Sequence, residues 1–208
     1  MLYLAQLKPD LRHPHSRQDL QNPYEMHRTL SYAVKGALTE GQERLLWRID
    51  SLANQTIILV QSHSQPTWSH LSAGYLLEEA KSKAFNPHFQ QGQVLQFRLR
   101  ANPSIKKVIA GQGQGKRYSL IGEDEQIQWL KRRGEQAGFR LLRVDLSHRE
   151  QLKAYKRKGD CEKPITMLAV TFEGRLEVID AAKLSQSLQE GIGAGKALGL
   201  GLISLAAH

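Results

Sequence analysis

Apolar residues fill nearly every position from Leu2 to Leu7, the pattern of a strand covered on both faces, which predicts a central first strand. The polar stretch Arg12-His-Pro-His-Ser-Arg17 follows and reads as a loop. Over residues 22–38 the period changes. Met26, Leu30, Val34 and Leu38 recur every fourth residue, so one stripe of a helix faces a core. Asn22 suits the N-cap, and Pro23 the first helical position, where its missing N–H would have no intrahelical partner anyway. Extended segments are predicted at 44–50 and 56–61 around a turn-like 51–55. Residues 68–80 read as a second helix or an irregular turn.

The same order then begins again. Residues 94–100 alternate with period two, 123–136 have a helical pattern and 139–146 are extended. Residues 165–172 and 175–179 flank Glu173-Gly174, a two-residue hairpin signal. Asp180 caps a helix to about residue 189, and 202–206 form a last short strand. The repeated strand, helix, strand, strand, helix order predicts an α+β protein of two tandem ferredoxin-like (βαββαβ) domains. They divide in the Pro- and Gly-bearing stretch 85–93, giving residues 1–88 and 89–208.

Charge changes what such a fold is expected to hold. The 208 residues carry a net charge of +9, a balance that favours polyanionic partners. Between Glu79 and Glu123 there is no acidic residue, yet Lys81, Lys83, Arg98, Arg100, Lys106, Lys107, Lys116 and Arg117 all lie there. A second basic concentration runs from Lys131 to Lys158 and includes Lys153, Lys156 and Arg157. Two such runs in one small protein point to nucleic acid. Cys161 stands alone, which excludes an intrachain disulfide and fits a reducing cytoplasm. No stretch reaches the roughly 18 to 20 apolar residues that a membrane span needs, and the amino terminus lacks the basic region of an export signal. A cytoplasmic protein without a membrane anchor is the expectation.

Two glycine-rich segments invite a nucleotide-binding reading and fail it. Gly111-Gln-Gly-Gln-Gly-Lys-Arg117 and Gly191-Ile-Gly-Ala-Gly-Lys-Ala197 have three residues, not four, between the outer glycine and the Gly-Lys pair, and no Ser or Thr follows to hold magnesium. Nor is there chain after Gly199 for the crossover that a dinucleotide site requires. The second segment still suits close backbone approach to phosphate, with Lys196 adding charge. His13 and His15 lack nearby carboxylates, and His63, His70, His88 and His148 are scattered, so no metal or other cofactor is expected.

The predicted first helix carries the candidate chemistry. Tyr24, His27 and Ser31 share one face, with Lys35 a turn further on. That face is offset from the apolar stripe, so His27 looks onto solvent or a cleft.

Several segments in order bear a resemblance to a known family: Asn22-Pro-Tyr-Glu-Met-His-Arg-Thr-Leu30, Phe97-Arg-Leu-Arg-Ala-Asn-Pro103, Phe172-Glu-Gly-Arg-Leu-Glu-Val178 and the glycine-rich run 191–205. Together they resemble the CasE family of type I-E CRISPR repeat-processing endoribonucleases, over the whole chain. The resemblance implies tandem ferredoxin-like domains, cleavage of CRISPR precursor RNA at the base of each repeat stem-loop, and residence with the crRNA among the other subunits of Cascade. Tyr24 and His27 fall on the positions that the motif assigns to catalysis. In metal-independent RNA cleavage the 2′-hydroxyl is the nucleophile, so His27 is assigned to general acid or general base work. Tyr24 is expected to donate a hydrogen bond to a phosphate oxygen or orient the 2′-hydroxyl, and Lys35 or Arg28 to offset phosphorane charge. The chain departs from some family members at Tyr32, where a basic residue can occur, so the third catalytic group stays open.

Stems are gripped through phosphates and shape. The charged tip 153–160, with Lys156, Arg157 and Lys158, is expected to contact the stem, and Arg98, Arg100, Lys106, Lys107, Lys116 and Arg117 to line the route to the cut. A non-catalytic stem-loop-binding subunit would keep the charge pattern without needing His27.

Overall fold

The computed structural model describes residues 1–35, 45–52, 55–107, 115–156 and 164–207, the side chains of Lys35 and Leu52 excepted. In chain order the elements are β1 (Leu2–Leu7), α1 (Pro14–Gln21), α2 (Pro23–Lys35), β2 (Leu46–Leu52), β3 (Gln55–Ser62), β4 (Lys81–Phe85), β5 (Val94–Ala101), β6 (Ser104–Lys107), β7 (Lys116–Ser119), α3 (Glu123–Gln136), β8 (Phe139–Ala154), β9 (Ile165–Val178), α4 (Ala181–Glu190) and β10 (Ile203–Ala207). Short 3-10 turns lie at Trp68–His70 and Lys196–Leu198.

Two four-stranded antiparallel sheets result, ordered β2-β3-β1-β4 and β10-β5-β9-β8. Numbered in chain order within its own sheet, each reads fourth, first, third, second from one edge. This is the ferredoxin-like order expected from the repeated pattern. β1 is internal to its sheet, in keeping with its nearly continuous apolar run. Met26, Leu30 and Val34 of α2 pack with Ala5, Leu7, Trp47, Ile58 and Val60, while Trp129 and Leu130 of α3 and Leu184 of α4 pack on Leu99, Phe139, Phe172 and Leu176. Burying each large apolar side chain contributes about 1.5 to 3 kcal/mol.

Polar side chains join the halves. The Arg48 guanidinium donates to Asp50 twice at 2.8 Å, to the carbonyls of Arg98 (3.0 Å) and Leu202 (3.1 Å), and to Ser204 Oγ (2.9 Å). All five of its donors are thereby used, as a buried charge requires. Gln61 Nε2 donates to the Leu188 carbonyl at 2.7 Å.

Four expectations need correction or extension. The stretch 12–17, read as a loop, contains the start of helix α1 (Pro14–Gln21). Pro14 starts it, but its inner face is the polar pair Ser16 and Asp19, so no apolar period announced it. Glu173-Gly174 is not a hairpin but the interior of β9, where Gly174 faces Phe97 on one side and Val144 on the other. A Cβ there would sit 2.0 Å from the Arg143 carbonyl oxygen, so this glycine serves close strand approach rather than a turn. β8 runs on to Ala154 because its ladder with β9 continues past the point where β5 ends, at the Ala101–Val170 pair, as a two-stranded arm in which Leu152 is buried with Ala169 and Leu200. Residues 68–80 form one 3-10 turn and irregular chain, so the first half has no second long helix there, and β4 closes its sheet as a short polar edge strand.

Candidate active site

Asn22 ends α1 and opens α2. Its Oδ1 accepts from the Tyr24 N–H at 3.2 Å, which satisfies one donor of the first turn. With Met26 and Leu30 pinned to the sheet, the adjoining face of α2 borders a cavity of about 650 Å³. His27, Arg28 and Ser31 line it, together with Tyr32 and with His15 and His70 from outside the helix. The fold thus gathers three histidines that sequence spacing left scattered. No local signal marks His15 and His70, because α1 and the 3-10 turn bring them in from either side.

Trp47 Nε1 donates to His27 Nδ1 at 3.2 Å, and Trp47 is itself buried in the core of the first half. Trp47 also lines a second cavity, of about 610 Å³, with Pro23, Arg98, Arg100, His148 and Leu198. Sequence reasoning missed this tryptophan, which reads simply as a core residue of β2. Tyr24 is half-buried and stands outside the lining of the first cavity. Arg28 is exposed and pairs with Glu25 at 2.7 Å. Lys35 ends α2, its side chain outside the described residues. At Tyr32 the ring packs edge-on against His70, with centroids 5.1 Å apart.

Asp19, also in the cavity lining, is buried and accepts from the Tyr75 hydroxyl at 2.7 Å. Burial raises the Asp19 carboxyl pKa above the usual carboxylate value, and the hydrogen bonds from Tyr75 and Thr29 offset only part of that. Burial and the neighbouring Asp19 push the Tyr75 hydroxyl upward. Among the described residues no group of three His, Cys, Asp or Glu side chains could hold a metal ion.

The candidate RNA-binding residues fall into distinct groups. On the β6–β7 hairpin Lys106 faces Arg117 and Lys107 faces Lys116, all four exposed. Cross-strand like charges oppose one another, so this hairpin is arranged to gain from an anion. The ammonium groups of Lys107 and Lys116 lie 5.9 and 5.8 Å from the centre of the Tyr118 ring, and Arg117 is braced on Ser104 Oγ at 3.2 Å. Arg98 and Arg100 are differently placed. Arg98 pairs with Glu173 and Asp50, and Arg100 is buried and paired with Glu150, so a phosphate reaching either must compete with a carboxylate. Lys156 is exposed at the end of the arm, whereas Arg157 and Lys158 lie outside the described residues. Lys196 belongs to the 3-10 turn that packs on α2. Of the glycine-rich segments, 111–114 lies outside the described residues, and 191–201 wraps from α4 to β10.

Known proteins share this fold. The family model described as CRISPR associated protein matches residues 2–207. The CRISPR-associated endoribonuclease Cse3 of Thermus thermophilus is 46% identical over 201 residues, covering 92% of this chain and 93% of its own. The Cascade subunit CasE of Escherichia coli is 36% identical over 157 residues, covering 72% and 73%. Among solved structures, Thermus thermophilus Cse3 bound to an RNA representing a pre-cleavage complex superimposes with a TM-score of 0.87 at 42% identity, over 99% of this chain and 98% of that one. Likeness at this level over nearly the full length, with the same two-sheet fold, leaves one conclusion about descent: the chain belongs to the CRISPR-associated protein family that includes Cse3 and CasE.

Proposed function

We propose that this protein is a metal-independent, sequence-specific endoribonuclease that cuts CRISPR precursor RNA at the base of the repeat stem-loop and stays with the crRNA among the other subunits of Cascade in the cytoplasm. The observation that carries the reading is His27, set at the edge of the α2 cavity by the buried Trp47, in a chain 46% identical to a CRISPR-associated endoribonuclease. Among the described residues no helix is long and apolar enough to cross a membrane.

RNA brings its own nucleophile. The 2′-oxygen forms a bond to phosphorus as the bond to the 5′-oxygen breaks, the 2′-hydroxyl proton leaves, and the departing 5′-oxygen takes one up. His27 moves one of these protons, its imidazole being the side chain best suited to do so near neutral pH. Tyr24 donates a hydrogen bond to the phosphate or orients the 2′-hydroxyl. Arg28 and Lys35 offset charge on the phosphorane, and Ser31 on the cavity wall supplies a further polar contact. The stem runs over the exposed cations of β6–β7 and the arm that ends at Lys156, and Lys196 meets the phosphates beside the glycine-rich turn. The two domains of this reading divide between residues 88 and 89, in the segment that links β4 to β5. Purified protein incubated with repeat RNA in excess EDTA tests the proposal. Defined fragments ending in a 2′,3′-cyclic phosphate support it, and intact RNA retained by the protein favours a binding subunit.

A further inference from the structure

The hydrogen bond from Trp47 Nε1 to His27 Nδ1 at 3.2 Å constrains more than the position of the ring. An indole nitrogen only donates. His27 Nδ1 therefore offers a lone pair, and the ring proton resides on Nε2. An imidazole that passes a proton through Nε2 needs a different arrangement. As a base it carries its proton on Nδ1 and bares Nε2, and as an acid it carries protons on both nitrogens. Either form sets an Nδ1–H against the indole N–H.

The indole is held in place by the glycine-rich segment. Gly199 closes the 3-10 turn Lys196–Leu198 at φ +76°, and a Cβ there would meet Trp47 Cζ3 at 2.7 Å and Cη2 at 2.9 Å. Only glycine combines that backbone angle with that approach. The turn packs on α2 as well, so a segment of the second half braces the tryptophan that contacts the histidine of the first.

We infer that Trp47 is a positioning residue that holds His27 of the RNA-free protein in the neutral Nε2–H tautomer, with Gly199 as its support. The consequence for cleavage rests on His27 being the proton-transfer group, whereas the tautomer does not. Proton transfer through Nε2 then requires the Trp47 contact to be exchanged as His27 acquires its Nδ1 proton. Among the described residues, the charged and titratable groups that line the cavity with His27 are His15 and Asp19 from α1, Glu25, Arg28 and Tyr32 from α2, and His70 and Tyr75 from the segment after β3. Lys196 lies on the turn packed against α2. All remain in Trp47→Phe, which keeps an aromatic ring at this core position while removing the only donor that Trp47 offers to Nδ1.

The test is nitrogen-15 NMR of histidine-labelled protein without RNA, wild type against Trp47→Phe. In the wild type at alkaline pH, His27 shows a bare Nδ1 and a protonated Nε2. In Trp47→Phe the two tautomers mix, and His27 takes up its second proton at a pH higher by roughly half a unit to one unit, the worth of one hydrogen bond. The pH–rate profile for RNA cleavage moves the same way, with RNA affinity unchanged. Folded Gly199→Ala protein shows the same mixing, and Trp47→Phe alone decides the matter if Gly199→Ala does not fold. Identical nitrogen shifts and titration in wild type and Trp47→Phe overturn the inference. Because the spectra involve no RNA, they decide the role of Trp47 whatever cleavage assays say of His27.

Discussion

Asn22 grips the backbone of Tyr155, donating through Nδ2 to its carbonyl at 2.9 Å and accepting through Oδ1 from its N–H at 3.1 Å. The residue that starts the candidate catalytic helix thus also holds the end of the β8–β9 arm, with Lys156 next in line.

Asn22→Ala should free that arm while removing the helix cap. The expected cost is about 1 to 2 kcal/mol in stability, by chemical denaturation, together with weaker stem-loop binding. Unchanged affinity for repeat RNA would separate the arm from RNA recognition.

Asp19 makes stability depend on pH in a stated direction. Burial places its folded-state pKa above the unfolded value, so its contribution is fully present below about pH 4 and is lost as pH rises through the folded pKa. Asp19→Asn keeps an acceptor for the Tyr75 hydroxyl and cannot ionise. Urea unfolding of both proteins at pH 4 and pH 7 should show the wild type losing ground to the variant at the higher pH. A constant difference would contradict the assignment.

The facing cations of β6–β7 predict a salt effect. Replacing Lys106 and Lys107 with alanine should reduce affinity for RNA and lower the log–log salt slope by about 1 to 2, because each phosphate contact contributes roughly one released counterion. A slope equal to the wild type's would show that the hairpin stands clear of the RNA.

Much of this architecture is legible in the sequence where an apolar period exists. The Met26, Leu30, Val34 stripe, the doubly covered β1 and the Asp180 cap, whose side chain accepts from the Lys183 N–H at 3.0 Å, each follow from local chemistry. Elements that bury polar groups or face water on both sides escape that reading. Helix α1 packs through Ser16 and Asp19, the far end of β8 is polar on either side of the buried Leu152, and Gly174 imitates a turn because a glycine near a strand end and one under a neighbouring carbonyl look alike in sequence. The helix face of His27 and Ser31 could be anticipated from spacing. Trp47, His15 and His70 could not, because only the fold brings them to the same cavity or ring.

The central claim is that His27 moves a proton while the RNA's own 2′-hydroxyl attacks. Since His27 lies beside the apolar stripe and not within it, His27→Ala should leave folding and RNA affinity nearly intact. The decisive measurement is the single-turnover cleavage rate of repeat RNA in EDTA for wild type and His27→Ala at matched occupancy. The account predicts a fall of roughly 10²- to 10⁴-fold, the worth of one general acid or base, and no cleavage by either protein when the sugar just upstream of the scissile phosphate is deoxyribose. A variant that cuts at the wild-type rate, or a deoxy substrate that is cleaved, would contradict it.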